Sequence, residues 1–244
     1  MREYFYDLHL HSCLSPCGDE DNTPNNIAGM AKLCELDIAA LTDHNTCKNC
    51  PAFFEAAERN GIIPVAGMEL TTSEDIHVIC LFPELSAAMA FDAYVDSVRM
   101  KIRNRTEIFG EQLILDGEDN VIGREEFLLP NATSVSIEDV PQLVSRYGGV
   151  CFPAHIDKES NGIVAVLGTL PPTPTFTAVE LHSKEKLDEY MERFNLSDKT
   201  VVISSDAHYL TDMRDAENSV MLSADPDCPD EVRRELMLWL GGKL

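Results

Sequence analysis

At 244 residues, 44% of them hydrophobic and 25% charged, the chain has the size and balance of one large α/β domain or two small ones. Its formal net charge of −23 disfavours an extended nucleic-acid partner, because neutralising a phosphate backbone takes patches of Lys and Arg. No run approaches the ~20 apolar residues of a membrane span. The opening MREYFYD lacks the apolar segment of an export signal, so a cytoplasmic location is expected, with the eight cysteines as thiols.

In chain order, an apolar start (Tyr4 to Leu8) runs into HSCLSPCGDEDN, a turn-rich stretch. Thr23 and Pro24 then read as the N-cap and first-turn proline of a helix that buries Ile27, Met30, Ala31, Leu33 and Cys34. Ile38 to Leu41 read as a short buried strand ending in Thr42-Asp43-His44, and the helix PAFFEAAERN is stopped by Gly61. The strand-like IIPVAGM leads to Glu69, and IHVICLF carries His77. A long helical tract is predicted from Ser86 to about Leu115. The helix IEDVPQLVSRYGG precedes the strand VCFPAH, and TAVEL ends at His182. The helix KEKLDEYMERF precedes TVVISSDAH, then comes the strand NSVML, and PDEVRRELMLWL closes the chain as a helix. Seven or eight strands separated by helices predict a parallel barrel or a doubly wound sheet, and ~250 residues is the usual size of a barrel. With no linker, repeat or low-complexity stretch, residues 1–244 read as one domain.

The chemistry gathers at strand ends. His9 and His11 stand two apart in DLHLHSC, and in a strand such residues share a face. All seven histidines (His9, His11, His44, His77, His155, His182 and His208) fall at or beside predicted strands, most at the C-terminal end, with Asp43, Glu69 and Asp206 beside them. In parallel α/β folds those ends converge on the active site. Mixed imidazole and carboxylate donors suit Zn, Mn or Fe better than Ca or Mg.

The ordered string DLHLHS, LTDHN, GMEL, IHVIC, FPAHID and SSDAH resembles the PHP family, named for polymerase and histidinol phosphatase domains, over nearly the whole chain. The resemblance implies a distorted (β/α)7 TIM-like barrel with two to three divalent metal ions (Zn, Mn or Fe), most often hydrolysing phosphate esters. By position it implies that His9 and His11 bind a first metal with Glu69 and Asp206. Glu69 would bridge to a second held by His77 and His155, with His44 and His208 on a third. Asp43 would orient a neighbouring ligand. His182 would be a proton donor or a hydrogen-bonded strand-end side chain.

The loop after His11 is about three residues longer than the family's usual pattern, which carries an aspartate ligand there. Counting back from Thr23-Pro24 selects Asp19, counting forward lands on Pro16, and Cys17 and Glu20 are the other candidates. For substrate phosphate, Arg99, Lys101, Arg103 and Arg105 form a basic cluster in which Arg99 and Arg103 would share a helix face, and Lys158 is a further cation. A solvated charged face is the alternative. Cys13, Cys17, Cys47 and Cys50 have spacings that permit a four-thiolate metal site, although loop thiols without metal are commoner. The expected function is metal-dependent hydrolysis of a small phosphomonoester or nucleotide. An amide hydrolase and a non-catalytic metal- or redox-sensing module are the alternatives. Pocket selectivity is expected to lie in loops 115–137 and 156–177.

Overall fold

A computed structural model describes residues 1–244. The strands are β1 (Arg2–Leu10), β2 (Ile38–Leu41), β3 (Ile63–Thr71), β4 (His77–Phe82), β5 (Leu113–Leu115), β6 (Val121–Arg124), β7 (Val150–Pro153), β8 (Ala178–Leu181), β9 (Thr200–Ile203) and β10 (Ser219–Leu222). The helices are α1 (Pro24–Leu33), α2 (Cys50–Asn60), α3 (Leu85–Val98), α4 (Thr106–Phe109), α5 (Val140–Arg146), α6 (Ile163–Leu167), α7 (Leu187–Arg193) and α8 (Pro229–Leu240).

Local signals set most boundaries. The Thr23 hydroxyl accepts the Asn26 N–H at the start of α1, a cap worth ~1 kcal/mol. Gly61 ends α2 at φ 72°, a left-handed conformation that glycine adopts without steric cost. Leu33, expected in the core, is 76% exposed, because α1 buries the stripe through Ile27, Ala28 and Ala31 instead.

Six strands form one sheet in the order β10-β1-β2-β3-β4-β7, and β8 and β9 form a separate parallel pair. β1, β2 and β3 run parallel, whereas β4 is antiparallel to both β3 and β7. Short links carry the wall onward. Ile156 N–H, just beyond β7, donates to the Glu180 carbonyl of β8, and a single bridge joins Leu10 to Ala207 beyond β9. β1, β2, β3, β4, β7, β8 and β9 therefore make the seven-strand wall of a curled, incompletely closed barrel, with β10 on its edge.

Strand periodicity sorts this barrel into layers. Leu8, Ala40, Val65, Ile79, Phe152, Ala178 and Val202 point inward and form one apolar cluster with Val232 and Leu236 of α8. The alternate residues (Ala39, Met68, Cys80 and Val179 among them) pack in a second cluster with the surrounding helices. One step of two further along the inward rows stand His77 and Glu180, and two such steps along stand Glu69, His182 and Asp206. The chemical layer thus sits directly on the inner apolar layer. On β1 the pairing with β2 slips between Asp7 and Leu10. A one-residue slip reverses which face a side chain takes, and it turns His9 and His11 inward although Leu8 also points there.

The long helical tract predicted from Ser86 to about Leu115 does not form. α3 stops at Val98, and Arg99 is already extended at φ −75°, ψ 152°. Arg99 pairs with Thr133 and Arg103 with Phe127 as isolated bridges, and the β5–β6 hairpin follows. Residues 99–137 are thus an arm folded over the barrel mouth. Its partners lie far along the chain, so local helix propensity lost to tertiary pairing.

Candidate metal centre

Glu69, at the mouth end of β3, is buried, and its carboxylate is met by five imidazoles. The nearest atoms are His77 Nδ1 at 2.8 Å, His44 Nδ1 at 2.9 Å, His155 Nε2 at 3.1 Å, His11 Nε2 at 3.3 Å and His9 Nε2 at 3.4 Å. His77 joins this group from the first residue of its strand. Because β4 runs antiparallel, its beginning lies opposite Thr71 at the end of β3. Asp206 Oδ1 adds a second carboxylate, 3.2 Å from His9 Nε2 and 3.3 Å from His11 Nε2.

The hydrogen bonds assign which ring nitrogens are free. His9 Nδ1 is bonded to Glu180 Oε2 at 2.9 Å, leaving Nε2 as a lone pair. The Ser15 hydroxyl donates to Asp43, so its oxygen accepts from His11 Nδ1 at 3.1 Å, and His11 Nε2 is again a lone pair. These two Nε2 atoms stand 3.0 Å apart, beside two carboxylates. Such an arrangement repels itself unless a cation lies among the atoms. His44 Nδ1 is close to Glu69 but out of line for a hydrogen bond, so it and Asp206 Oδ1 are buried without a hydrogen-bond partner. Three sets of donor atoms each converge within 4.8 Å: His9/His11/Asp206, His44/Glu69/His77 and His11/His44/His208. The donors and their unpaired state fit divalent transition ions.

Electrostatics point the same way. Burial works against charging His9, but Asp206, Glu180 and Glu69 outweigh it and raise the imidazole well above its ordinary value, so the pocket stabilises positive charge at Nε2, carried by a proton until a metal ion displaces it. Burial likewise opposes ionisation of Glu69 and Asp206, and the surrounding imidazoles hold both carboxyls well below the usual range. The backbone is strained at two of these positions. His155 has φ 27° and Asp206 φ 52°, values rare for residues with a Cβ and concentrated at functional sites.

Some residues named from the sequence take the places expected of them and others do not. The Asp43 carboxylate accepts from Ser12 N–H, Ser12 Oγ and Ser15 Oγ at 2.7 Å each, and so orients His11 through Ser15. Asp19 Oδ1 accepts the Asp21 N–H at 2.9 Å within its own loop. Cys17 Sγ instead lies 3.2 Å from His44 Nε2. Burial opposes a thiolate there, but the His44 charge and hydrogen bonds with His208 and His44 bring it down to about 5. The four cysteines do not gather. Cys47 and Cys50 direct their thiols at the Gly67 carbonyl in the core, at 3.1 Å and 3.6 Å. Burial raises the Cys13 thiol to about 12 and Cys47 well above its ordinary value.

Lys158 pairs with Asp206 and lines the cavity beside Glu69, whose volume is about 140 Å³. Arg99 and Arg103 do not reach this cavity. Arg99 is buried with its guanidinium on Glu125 (2.7 Å) and Asp96 (2.9 Å), and Arg103 is exposed beside Glu126 at 3.7 Å. His182 is half-buried, and burial together with Lys158 and Arg214 lowers its imidazole below the ordinary value.

Sequence reading missed Glu180, Asp157 and Arg214. Glu180 is buried and bonds His9 Nδ1 and the His155 N–H, each at 2.9 Å. Its one local signal was a glutamate inside the apolar run TAVEL. Asp157 accepts the His182 and Ser183 N–H groups at 2.7 Å and 3.0 Å. Arg214 lies 3.4 Å from His182 Nε2 and lines a cavity of about 380 Å³ with His182, Lys158 and His208. Partners that fix a ligating imidazole tune metal affinity 10–100-fold. Glu180→Gln is therefore expected to weaken metal binding by that factor, read by competition with a chelator. An unchanged affinity would remove Glu180 from the centre.

A curled α/β barrel whose mouth converges buried imidazoles and carboxylates defines a metal-site barrel protein. Residues 7–159, more than half of the chain, match the family model described as the PHP domain, and the chain belongs to that family. No curated protein matches it in sequence. Solved structures share the fold. The lesion-specific endonuclease PfuEndoQ from Pyrococcus furiosus superposes with TM-score 0.61 at 15% identity, covering 96% of this chain and 55% of that one. The chain thus spans about half the length of that endonuclease. A Bifidobacterium adolescentis protein described as a metal-dependent phosphoesterase gives TM-score 0.53 at 19% identity, over 96% and 95% of the two chains. An amidohydrolase from Chromobacterium violaceum with bound sulfate gives 0.58 at 17%, over 93% and 96%. No helix is long and apolar enough to cross a membrane.

Proposed function

We propose that the chain is a metal-dependent hydrolase of small phosphate monoesters. One observation carries the reading: a single buried carboxylate, Glu69, is shared by five imidazoles beside a cavity lined by Lys158. His9, His11, Glu69 and Asp206 would hold one ion, and Glu69, His77 and His155 a second, with His44 and His208 on a third. When bound, such ions supply Lewis acidity and an acidified water near neutral pH.

The chain's own residues do the rest. Glu69 and Asp206 hold the negative charge that selects divalent cations. Glu180 and Ser15 lock the His9 and His11 rings with Nε2 facing inward. Lys158 and Arg214 line one side of the mouth, where they would meet a phosphate dianion, and Arg214 has no carboxylate partner within 4.0 Å. His182 lines the same cavity as a hydrogen-bonding group, with its Nε2 3.4 Å from Arg214. On the other side Phe109, Leu128, Pro130 and Pro16 line a cavity of about 370 Å³ that would receive an apolar or planar leaving group.

A monoester terminus offers three oxygens and two charges to the cations, a diester two oxygens and one charge. The net charge of −23 also leaves little for a long nucleic-acid strand to follow. The expected result is a higher kcat/KM on nucleotide and sugar monophosphates than on diesters, short single strands or amides. Arg214→Ala is expected to raise KM for the monoesters, with Arg103→Ala unchanged. Faster cleavage of diesters or amides would overturn the assignment.

A further inference from the structure

Ser15-Pro16-Cys17-Gly18 is a tight turn closed by the Gly18 N–H on the Ser15 carbonyl at 2.8 Å, with proline and glycine at their favoured positions. Glycine is required at its end, since a Cβ on Gly18 would lie 2.6 Å from the Ser12 carbonyl oxygen. The Asp19 N–H then donates to the His208 carbonyl at 2.9 Å, pinning the turn across the histidine cluster. The turn therefore carries Cys17 to its corner and Asp19 past it. Cys17 Sγ reaches 3.2 Å from His44 Nε2. Independently, His11, His44 and His208 bring donor atoms within 4.8 Å of one another, and the His11 ring lies 4.6 Å from His44 and 4.3 Å from His208.

From this geometry we propose that Cys17 joins His44 and His208 as a sulfur ligand of the third ion, beside the His11 ring, so that this corner of the centre takes a thiophilic divalent ion of the zinc class. The inference rests on the metal-dependent reading above and narrows it. Two imidazoles and one sulfur make a set of borderline-soft donors that favours Zn(II) or Co(II) over Mn(II) or Mg(II). Asp19 would have supplied hard oxygen at the same place, but its carboxylate is engaged in its own turn.

The test is the electronic spectrum of the full-length protein loaded with Co(II), recorded without substrate. A sulfur-to-cobalt charge-transfer band in the near ultraviolet is expected in the wild type, Asp19→Ala and Cys47→Ser, and is expected to vanish in Cys17→Ser with loss of one metal equivalent. No band in the fully loaded wild type, or a band that survives Cys17→Ser, overturns the proposal. If Cys17→Ser does not fold, zinc X-ray absorption of the wild type decides. A sulfur shell at about 2.3 Å supports the ligand, and a shell of nitrogen and oxygen alone overturns it. Because neither readout uses turnover, an inactive protein with the sulfur band would sink the phosphatase reading and leave this one standing.

Discussion

Glu69→Gln is expected to strip at least one metal equivalent from the purified protein and lower phosphomonoester kcat by roughly 10³-fold, from ~4 kcal/mol of lost charge stabilisation. The carboxylate is the one group placed within 3.4 Å of His9, His11, His44, His77 and His155 together. An amide at that position keeps the size but removes the charge that would hold the proposed pair of ions. It also offers an NH₂ donor to imidazole nitrogens such as His77 Nδ1 and His155 Nε2, which would occupy the lone pairs a metal ion needs. Elemental analysis gives the metal count, and initial rates at saturating substrate give kcat. A full complement of metal with unchanged kcat would show that Glu69 is a structural buried acid and nothing more.

The second large effect concerns stability. Arg99→Ala is expected to destabilise the protein by about 3–5 kcal/mol, the usual cost of leaving one half of a buried ion pair behind. In a chain of this length that is a drop of roughly 10 °C in Tm. Arg99 bonds Glu125 at 2.7 Å and Asp96 at 2.9 Å with its own side chain 2% exposed, and Lys48 closes on Glu125 from the loop after His44. This group ties the 99–137 arm to the end of α3 and to the barrel mouth. Arg103→Ala should change stability by less than about 1 kcal/mol, since the pair with Glu126 is exposed and 3.7 Å long.

The pH dependence follows from Glu125. Burial works against its ionisation, but Lys48 and Arg99 hold the carboxyl below its ordinary value of 4.5. A lowered folded-state value means the unfolded chain binds the proton first. The stabilisation is therefore present above about pH 4.5 and is lost as the pH falls through the folded value. Urea midpoints of wild type and Arg99→Ala should accordingly differ most near neutrality and converge in acid. A gap that widens in acid would assign the effect to another group.

Much of the centre was legible in the chain, because each motif is local. HxH, TDH, GMEL, FPAH and SDAH announce themselves as polar residues ending apolar runs, and strand periodicity alone aims Glu69, His77 and Asp206 inward. The family model covers all of these motifs except SDAH, which lies beyond residue 159. Glu180 left only a faint trace, a lone acid within TAVEL, because its partners His9 and His155 lie 171 and 25 residues away in sequence.

Other assignments depended wholly on the folded chain. Arg99 and Arg103 share a helix face only if a helix exists, and the pairing of Arg99 with Thr133 and Arg103 with Phe127 replaced it. Arg214 has no motif around it and gains meaning only where its loop meets Lys158 and His182. The choice between Cys17 and Asp19 could not be made by counting, since counting from the two ends of the loop gave different residues. Ligation depends on where atoms lie, and a turn of four residues moves a side chain by several ångströms without altering the spacing of the letters. The sequence by itself determined which donors this protein owns and which strand ends present them. Closure of the arm, reversal of β4 and the turn at Pro16-Cys17 decided which of those donors meet, because convergence is a property of long-range packing.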